Sequence, residues 1–363
     1  MAIKTPISVT RMIPACLVLV ALIVPQPAGA WGNTGHEAVA YVAWQLMGPT
    51  ARSEALTLIQ MVPQLTSPKG TKVDGFAQWV TELPAGLSAD QKNLFLFMRA
   101  STWADAIKHV GFVDSDNPPP NDAVDKPLGF SDPASHGYWH FVDTGLTADS
   151  STVLPTPTPN AAVQIVELRK DLASGDAAPL KAYELVWLEH LVGDIHQPLH
   201  GATRFVAGKS DIGGNDVTIT LPKDLKAKFE ASLPAGARTN DPRDLHAFWD
   251  DLPGEPNAIQ ALGPAADFAK SLTAASGAAV QVTDPAAWAI ESFKLAKSDA
   301  YRSPIGPGNT SAKGKPYLMT DAYYTTALAD AKSQIALAGA RLAKLLDDTW
   351  PEAKNNPGTK KSK

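Results

Sequence analysis

The residues best suited to chemistry in this chain are its histidines and the acids that follow them. His190 is followed by Asp194 and His246 by Asp250, at the same spacing. A helix places residues four positions apart on one face, about one turn apart, so each pair could bind one cation. The chain of 363 residues contains eight histidines: His36, His109, His136, His140, His190, His196, His200 and His246.

Further residues extend this set. His200 lies ten residues after His190, Asp105 ends Trp103-Ala104-Asp105, and His140 begins His140-Phe141-Val142-Asp143. Imidazole and carboxylate groups without thiolate are typical of an open zinc site, where one coordination position is left for water. A single histidine is more often a hydrogen-bonded core or surface residue, but the whole set favours a metal centre.

Helices dominate the elements predicted to position these residues. Thr34 and Glu37 fit a capping box, with Thr34 as the N-cap of a helix that carries His36. Pro198 should end the helix that carries the first His/Asp pair. Apolar spacing predicts further helices at 50–62, 88–109, 160–174, 180–197, 223–232, 241–250, 257–275, 284–300 and 319–349.

Only a short part of the chain has the pattern of a strand. Apolar and polar residues alternate over Gly214–Leu221, which predicts a strand or a hairpin arm. The metal-type residues are scattered along the chain and no repeat is present. The sequence therefore predicts an all-α protein with a single multi-helix domain over 31–350 and a small β-hairpin-like segment. Irregular structure is predicted for Gly111–Gly137, Ser150–Pro159 and the polar tail 351–363.

Residues 1–30 have the three parts of a secretory signal peptide. Lys4 and Arg11 are basic, Ile13–Val24 is apolar, and small residues end at Ala30, after which cleavage is predicted. A membrane anchor is the alternative, but these twelve apolar residues are too few to cross the hydrocarbon layer. A lipoprotein is disfavoured because the apolar run follows Cys16 instead of preceding it. We therefore expect a secreted or periplasmic protein, with no membrane span in its mature form.

The mature chain would be acidic and free of cysteine. Loss of Lys4 and Arg11 leaves 30 basic against 37 acidic residues, a net charge of −7 with histidine neutral. No basic surface for duplex binding is indicated, and bound cations are the natural source of positive charge for a polyanionic substrate. Cys16 is the single cysteine, so burial or metal must stabilise the fold in place of disulfides.

Several motifs of the chain occur together in one order. They are Trp31-Gly32 with His36, Trp103-Ala104-Asp105, His140-Phe141-Val142-Asp143, His190-Leu191-Val192-Gly193-Asp194-Ile195-His196-Gln197-Pro198-Leu199-His200, Gly213-Gly214-Asn215-Asp216 and Leu245-His246-Ala247-Phe248-Trp249-Asp250. In these motifs the chain resembles the secreted zinc-dependent single-strand-specific nucleases that are also 3′-nucleotidases, which share a fold with bacterial zinc phospholipase C. The lack of mature cysteines fits a bacterial member of that family.

The resemblance implies a trinuclear zinc cleft, with three Zn²⁺ ions per chain. Two of these ions would be close neighbours that share Asp194. The second would also be bound by His36 and by the α-amino group and carbonyl oxygen of Trp31, an amine that exists only after cleavage at Ala30. The ligands of the first ion would be Asp105, His140, His190 and Asp194.

The resemblance also implies a separate third ion and the catalytic groups. Catalysis is assigned to Asp105 at the metal pair and to Lys108. Lys108 resembles a basic residue of that family that stabilises the transition state. An exposed helix lysine is the alternative for Lys108. His196 lies between ligands and is expected to support or pack against them. The ligands of the third ion would be His200, His246 and Asp250.

A base-binding slot is implied as well. Phe141 would stack on the base, Asp143 would accept hydrogen bonds from its edge, and Val206 would form the opposite wall. A base must be unstacked before it enters such a slot, and stacking contributes about 1–3 kcal/mol per base without demanding sequence. Single-stranded nucleic acid and nucleotides are therefore the expected substrates. Core packing is the alternative role for Phe141.

The expected activity is hydrolysis of single-stranded DNA and RNA to 5′-phosphorylated products, with removal of 3′-phosphate from 3′-nucleotides. A phospholipase C on the same scaffold is the alternative. That branch has H-x3-E where this chain has His246 and Asp250, and Gly213-Gly214-Asn215 is nuclease-like. A non-enzymatic zinc-binding helical protein is the third candidate, and a carboxylate shared by two zinc ions argues against it. No protein partner is implied.

Overall fold

Helices form most of the chain in the computed structural model, which describes residues 31–113, 129–131, 134–149, 151, 156–232, 242–254, 258–308 and 315–352. The α-helices within these ranges are α1 (Asn33–Leu46), α2 (Pro49–Ile59), α3 (Phe76–Glu82), α4 (Ala89–Ala100), α5 (Trp103–Ala106), α6 (Ala161–Leu172), α7 (Ala178–Asp194), α8 (Lys223–Ser232), α9 (Leu245–Asp250), α10 (Ala258–Lys270), α11 (Ala278–Gln281), α12 (Pro285–Leu295) and α13 (Asp321–Thr349). Two 3-10 turns cover Gly137–His140 and Pro198–His200, and a π-helical turn at Ala296–Ala300 extends α12. The predicted all-α class is confirmed.

Short strands pair in three small sheets within the described ranges. The strands are β1 (Leu65–Thr66), β2 (Lys72–Val73), β3 (Thr144–Thr147), β4 (Ala202–Val206), β5 (Lys209–Ser210), β6 (Ile219–Thr220) and β7 (Tyr317–Leu318). β1 pairs antiparallel with β2, β4 pairs parallel with β3 and antiparallel with β5, and β6 pairs parallel with β7. Of the strand predicted over Gly214–Leu221, only the part in β6 forms, and its partner is distant in sequence. The hairpins in the described ranges are instead β1–β2 and β4–β5.

The parallel pairing of β3 with β4 matters for the site. Thr144 lies opposite Ala202 in this pair. Thr144 follows His140 by four residues, and Ala202 follows His200 by two. The sheet therefore holds two predicted ligands side by side although they are 60 residues apart in the chain.

α7 is the central helix of the core. Every residue from Ala182 to Asp194 is buried, and the helix packs against α1, α2, α5, α6 and α13. A helix enclosed on all sides is expected to be apolar all round. His190 and Asp194 are polar exceptions on this helix, so the core holds both side chains away from solvent.

α1 begins earlier than predicted. Gly32 is its N-cap residue, and the Gly32 carbonyl accepts hydrogen bonds from the N–H groups of Gly35 and His36 at 2.7 and 3.3 Å. Thr34 is therefore inside the first turn and is fully buried, so the predicted capping box of Thr34 with Glu37 is wrong. Glycine is itself a favourable N-cap residue, which lets the helix start there without a side-chain cap.

The helix predicted over 88–109 is interrupted at Ser101 and Thr102, between α4 and α5. The hydroxyl of Ser101 donates to the carbonyl of Met98 at 2.7 Å, and that of Thr102 to the carbonyl of Arg99 at 2.9 Å. Such local hydrogen bonds compete with the helical pattern and explain the break. The break also frees the Ser101 carbonyl for a contact within the site.

The other predicted helices form to within a few residues of their expected bounds. α9 begins later than predicted because the Asp244 carboxylate caps it, accepting from Ala247 N–H at 2.8 Å. α3 is an additional helix, with Gly75 as its N-cap. No helix in the described part of the chain has both the length and the apolar character to cross a membrane. The predicted signal peptide, residues 114–128, 132–133, 150 and 152–155 of the irregular segments, and the tail from 353 lie outside the described residues.

Candidate metal centre

A first group of predicted ligands meets at the end of α7. His190 and Asp194 come from α7, Asp105 from α5, and His140 from the turn that precedes β3. His190 Nε2 lies 3.0 Å from His140 Nδ1 and 3.2 Å from Asp194 Oδ2. Asp105, His140 and His190 offer ligand atoms that all lie within 4.8 Å of one another. Atoms around a tetrahedral zinc, each about 2.0–2.1 Å from the ion, are about 3.3 Å apart, so this spacing fits one ion.

The orientation of His190 is fixed from outside the group. Its Nδ1–H donates to the carbonyl of Ser101 at 2.8 Å, which leaves Nε2 facing His140 and Asp194. A hydrogen bond of this kind selects which ring nitrogen is available to a metal. The break between α4 and α5, which the sequence did not predict, is thus part of the site.

A second group shares Asp194 with the first. His36, His190 and Asp194 offer ligand atoms within 4.8 Å of one another. His36 Nε2 lies 3.3 Å from Asp194 Oδ1, whereas His140 Nδ1 lies 2.8 Å from Asp194 Oδ2. The two carboxylate oxygens therefore face different groups. The His36 ring stacks on His190 at 3.9 Å between centroids, and a Cβ on Gly193 would lie only 2.8 Å from His36 Nδ1.

Trp31 lies beside these groups at the start of the described chain. Its side chain is fully buried, and the N–H of the next residue, Gly32, donates to the carbonyl of Asp250 at 3.0 Å. The Trp31–Gly32 segment is therefore anchored between α1 and α9. Its role as a ligand through a free α-amine stays a prediction.

A third group is formed by α9 and the turn Pro198–His200. His200, His246 and Asp250 offer ligand atoms within 4.8 Å of one another, with His246 Nε2 3.1 Å from His200 Nε2 and 3.6 Å from Asp250 Oδ2. His246 Nδ1–H donates to the carbonyl of Gly213 at 2.7 Å, and His200 Nδ1–H donates to that of His140 at 2.6 Å. Both Nε2 atoms are thereby turned towards the group.

Gln197 links two parts of the third group, the Asp250 carboxylate and the turn that carries His200. Its Nε2 donates to Asp250 Oδ1 at 2.8 Å, and its Oε1 accepts from the N–H of Leu199 at 2.5 Å. The side chain therefore fixes the Asp250 carboxylate and the turn that carries His200. Gln197 lies within the His190–His200 motif, but no spacing in the sequence indicates this role.

His196 is held away from the three groups. Its Nδ1–H donates to the carbonyl of Val192 at 2.7 Å, and its Nε2 accepts from the guanidinium of Arg341 at 2.9 Å. Arg341 is fully buried, pairs with Glu291 at 2.7 Å and lies over the ring of Trp288. Burial and the positive charge of Arg341 lower the pKa of His196 to about 3, so the imidazole is a neutral acceptor. His196 thus ties α13 to the metal-binding segment.

The electrostatics of the first two groups favour a cation at their centre. Burial disfavours the charge on Asp194, but His190 and His140 outweigh it and hold its pKa well below the ordinary value. Burial lowers the pKa of His190, but Asp194 and Asp105 raise it to about 10. Burial and Lys108 lower the pKa of His140 to about 3. The carboxylates are therefore ionised, and positive charge between them is stabilised.

Lys108 points into the first group. Its Nζ lies 2.8 Å from Asp105 Oδ1, and its side chain is only 13% exposed. Burial alone would lower the pKa of Lys108, but the carboxylates of Asp105 and Asp194 raise it, so the ammonium stays charged. The alternative role as an exposed helix lysine is wrong, because Lys108 lies beyond the end of α5 and its charge is turned towards the site.

Comparison with known proteins agrees with this geometry. The family model described as S1/P1 Nuclease matches residues 31–350, which is most of the chain. The chain belongs to the S1/P1 nuclease family. It is similar to Nuclease P1 of Penicillium citrinum, 24% identical over 337 residues that cover 88% of this chain and 97% of the relative. It is also similar to Nuclease S1 of Aspergillus oryzae (strain ATCC 42149 / RIB 40), 26% identical over 265 residues that cover 72% of this chain and 68% of the relative.

Membership of the S1/P1 nuclease family makes the protein a hydrolase that acts on nucleic acid. The family is metal-dependent, and the three His/Asp groups are the places where metal ions could be held. Buried imidazole and carboxylate donors without thiolate fit zinc better than the harder, oxygen-binding cations. The bacterial source expected from the cysteine content stays a prediction.

Two of the three residues predicted to bind the base lie next to metal-group residues in this S1/P1 nuclease: Phe141 follows His140, and the N–H of Asp143 donates to the carbonyl of His200 at 3.4 Å. Phe141 is partly buried and packs against the core. Asp143 has a backbone φ of +54° and is half-buried. Burial, followed by the negative charge of Asp211, raises the pKa of Asp143 to about 7. Val206 ends β4. The roles of these three residues stay predictions.

Ile212 is a residue that sequence reasoning missed. Its apolar side chain is 58% exposed, and its backbone has a φ of +52°, which a β-branched residue rarely adopts. The next residue, Gly213, supplies the carbonyl that holds His246. Strained residues of this kind cluster at functional sites. The only indication in the sequence was its position directly before Gly213-Gly214.

Proposed function

We propose that this S1/P1 nuclease is a zinc enzyme that cleaves single-stranded DNA and RNA to 5′-phosphorylated products and removes 3′-phosphate from 3′-nucleotides. The observation that carries this proposal is the Asp194 carboxylate, whose two oxygens face different His/Asp groups. A carboxylate shared in this way suits two ions that act on one phosphate. The residues that would hold three Zn²⁺ ions are Trp31, His36, Asp105, His140, His190, Asp194, His200, His246 and Asp250.

Zinc bound in these groups would activate water near neutral pH and neutralise phosphate charge. The chain itself contributes a fixed ammonium, since Asp105 holds Lys108 Nζ at 2.8 Å. A preorganised charge that is largely excluded from water stabilises negative charge developing on a phosphate more strongly than it would in water. We therefore assign transition-state stabilisation to Lys108, with Asp105 as the residue that both orients it and binds metal.

Single-strand preference would come from a base slot beside the first group. Phe141 would stack on the base, and the Asp143 carboxylate would accept hydrogen bonds from the base edge. Val206 or Ile212 would form the opposite wall. Ile212 is included because its apolar side chain is 58% exposed beside the third group. Stacking on an aromatic ring requires an unstacked base and does not demand a particular sequence.

Processing after Ala30 belongs to the same proposal. The ligand role of Trp31 needs a free α-amine, which residues 1–30 would block. The family match begins at Trp31, which supports this boundary. We propose that residues 1–30 are a signal peptide, that the mature protein is secreted or periplasmic, and that 351–363 is a polar tail outside the nuclease domain.

One side-by-side assay tests the function. The processed protein is given single-stranded DNA, duplex DNA, single-stranded RNA, 3′-AMP and phosphatidylcholine, each with and without a zinc chelator. We expect chelator-sensitive cleavage of the single strands to 5′-phosphorylated ends, phosphate release from 3′-AMP, and slower cleavage of the duplex. Hydrolysis of phosphatidylcholine in preference to nucleic acid would favour the phospholipase C alternative and contradict the proposal.

A further inference from the structure

The loop Asp211–Gly214, next to the third metal group, has an unusual backbone. Three consecutive residues have positive φ angles, with Ile212 at +52°, Gly213 at +59° and Gly214 at +91°. Isoleucine disfavours this region, so other contacts must hold the turn in place. None of the residues assigned to metal or substrate above explains how the turn is held.

Asp211 supplies most of the side-chain contacts that hold this loop; in addition, the N–H of Ile212 donates to Ser210 Oγ at 3.0 Å and that of Gly213 to Thr203 Oγ1 at 3.2 Å. Asp211 is buried, and its Oδ1 accepts from the N–H of Arg204 at 2.9 Å, the N–H of Gly214 at 3.2 Å and the hydroxyl of Tyr301 at 3.1 Å. Its Oδ2 accepts from Arg204 Nε at 3.1 Å. Arg204 in turn donates to the carbonyl of Gly306 at 2.6 Å. One carboxylate thereby fixes the loop to β4 and to the end of the π-helical turn.

The fixed loop presents one carbonyl to the metal group. Gly213 accepts from His246 Nδ1–H at 2.7 Å, and a Cβ at this position would lie 2.8 Å from the carbonyl oxygen of Leu199. The hydrogen bond keeps the proton on Nδ1 and turns His246 Nε2 towards His200 and Asp250. A shift of the loop would therefore release the ring that offers Nε2 to the metal.

We propose that Asp211 is a positioning residue for the third metal site. It acts through the turn Ile212–Gly214, which keeps the Gly213 carbonyl against His246. This inference rests on the proposed function, because it requires a zinc ion held by His200, His246 and Asp250. A substitution at Asp211 should therefore weaken binding of that ion and leave binding of the two ions that share Asp194 unchanged.

The test is zinc retention by the processed Asp211→Asn protein. The asparagine amide would set an N–H₂ group against one of the donors that now point at the carboxylate, so the turn should loosen. We expect zinc affinity at the third site to fall about 10- to 100-fold, as for other residues that orient metal ligands, while two zinc ions stay bound with wild-type affinity. Chelator competition, followed by elemental analysis, measures both quantities.

Added zinc separates positioning from damage to the ligands. Because His200, His246 and Asp250 remain present in Asp211→Asn, excess zinc should restore nuclease activity, whereas Asp250→Asn should not be restored. Asp224→Asn is the matched control, since Asp224 is exposed at the start of α8. This control should hold three zinc ions like the wild type.

A milder variant covers the case in which Asp211→Asn does not fold. Tyr301→Phe removes one donor to Asp211 and keeps the ring, so third-site affinity should fall by less than about tenfold. Unchanged third-site affinity in a folded Asp211→Asn, or in Tyr301→Phe if only that variant folds, would overturn the inference. Loss of all three ions together from a folded Asp211→Asn would also overturn it. Fewer than three ions in the wild type would instead overturn the proposed function.

Discussion

The metal pair around Asp194 and the third group use the same residue types on different scaffolds. The pair takes His190 and Asp194 from α7, which is buried on every side near its C-terminal end. The third group takes two ligands from α9, a helix of six residues, and one from a 3-10 turn. Its side chains are oriented by contacts from other segments: the carbonyls of Gly213 and His140 and the amide of Gln197.

This difference implies unequal robustness. The two ligands of the pair on α7 are kept in place by the whole core, whereas every ligand of the third group lies on a short element and depends on a few hydrogen bonds. Local opening is easiest where such support is thin. We therefore expect the pair to retain zinc when the third group has lost it.

Asp194→Asn should have the largest effect. A neutral amide neither offsets two cations nor bridges them well, so both ions of the pair should be lost and activity on every substrate should fall at least about a thousand-fold. Zinc content and kcat/KM on single-stranded DNA measure this. Asp267→Asn, an exposed aspartate of α10, is the control and should match the wild type. A folded Asp194→Asn that still held both ions of the pair, three zinc ions per chain in all, would refute the shared-ligand assignment.

An extra residue before Trp31 should weaken zinc binding at the site that includes His36. A chain that starts with Met followed by Trp31 lacks the α-amine at the ligand position, so we expect two zinc ions and an activity loss of about a hundredfold or more. The protein cleaved after Ala30 is the comparison. Full activity and three ions in a correctly folded Met-extended protein would show that the N-terminus is not a ligand.

Asp250→Asn should empty the third group and leave the pair intact. The variant should hold two zinc ions, and kcat should fall about a hundredfold because one source of charge stabilisation is missing. Elemental analysis and kinetics on 3′-AMP test this. If zinc also left the pair, the two regions would behave as one cooperative unit and would not differ in how firmly they hold zinc.

Asp143→Asn should weaken recognition of the base without changing zinc binding at the pair or at the third group. Three zinc ions should stay bound, and kcat/KM should fall about tenfold in a base-dependent way, since only hydrogen bonds to the base edge change. The assay compares 3′-AMP, 3′-CMP and an abasic phosphate ester. Equal losses on all three substrates, or loss of metal, would place Asp143 in the support of the metal groups.

Arg341→Met should change stability more than activity. It removes the hydrogen bond to His196 and the pairing with Glu291, while keeping much of the side-chain volume, so the free energy of unfolding should fall by about 2–4 kcal/mol. Denaturant unfolding of the zinc-loaded protein measures this, and the zinc count should stay at three. A lost ion would show that α13 supports a metal group through His196.

The sequence indicates which side chains meet in the three His/Asp groups better than it indicates what orients them. The pairs His190/Asp194 and His246/Asp250 are visible because helical geometry converts a local spacing into a shared face. The contacts that orient ligands join distant positions, such as Ser101 with a residue 89 positions later, so no local pattern reveals them. The incorrect helix over 88–109 has the same origin, because apolar spacing continues across a break that hydroxyl groups impose.

Other supporting contacts also join residues that are far apart in the sequence. Tyr301 reaches Asp211 across 90 positions, and Arg341 reaches His196 across 145. Positive φ at Ile212 is also invisible in sequence, because isoleucine predicts the opposite backbone region. A motif therefore identified which atoms could bind metal, while tertiary hydrogen bonds decided how they are aimed.

Stepwise removal of zinc from the processed protein tests whether the pair around Asp194 holds its ions more firmly than the third group. Zinc per chain is measured by elemental analysis as a chelator is increased, with nuclease activity followed in parallel. We expect three zinc ions per chain at the start, loss of one ion first with most of the activity, and loss of the remaining two at higher chelator concentration. One ion or none at the start, or release of all three in a single step, would contradict it.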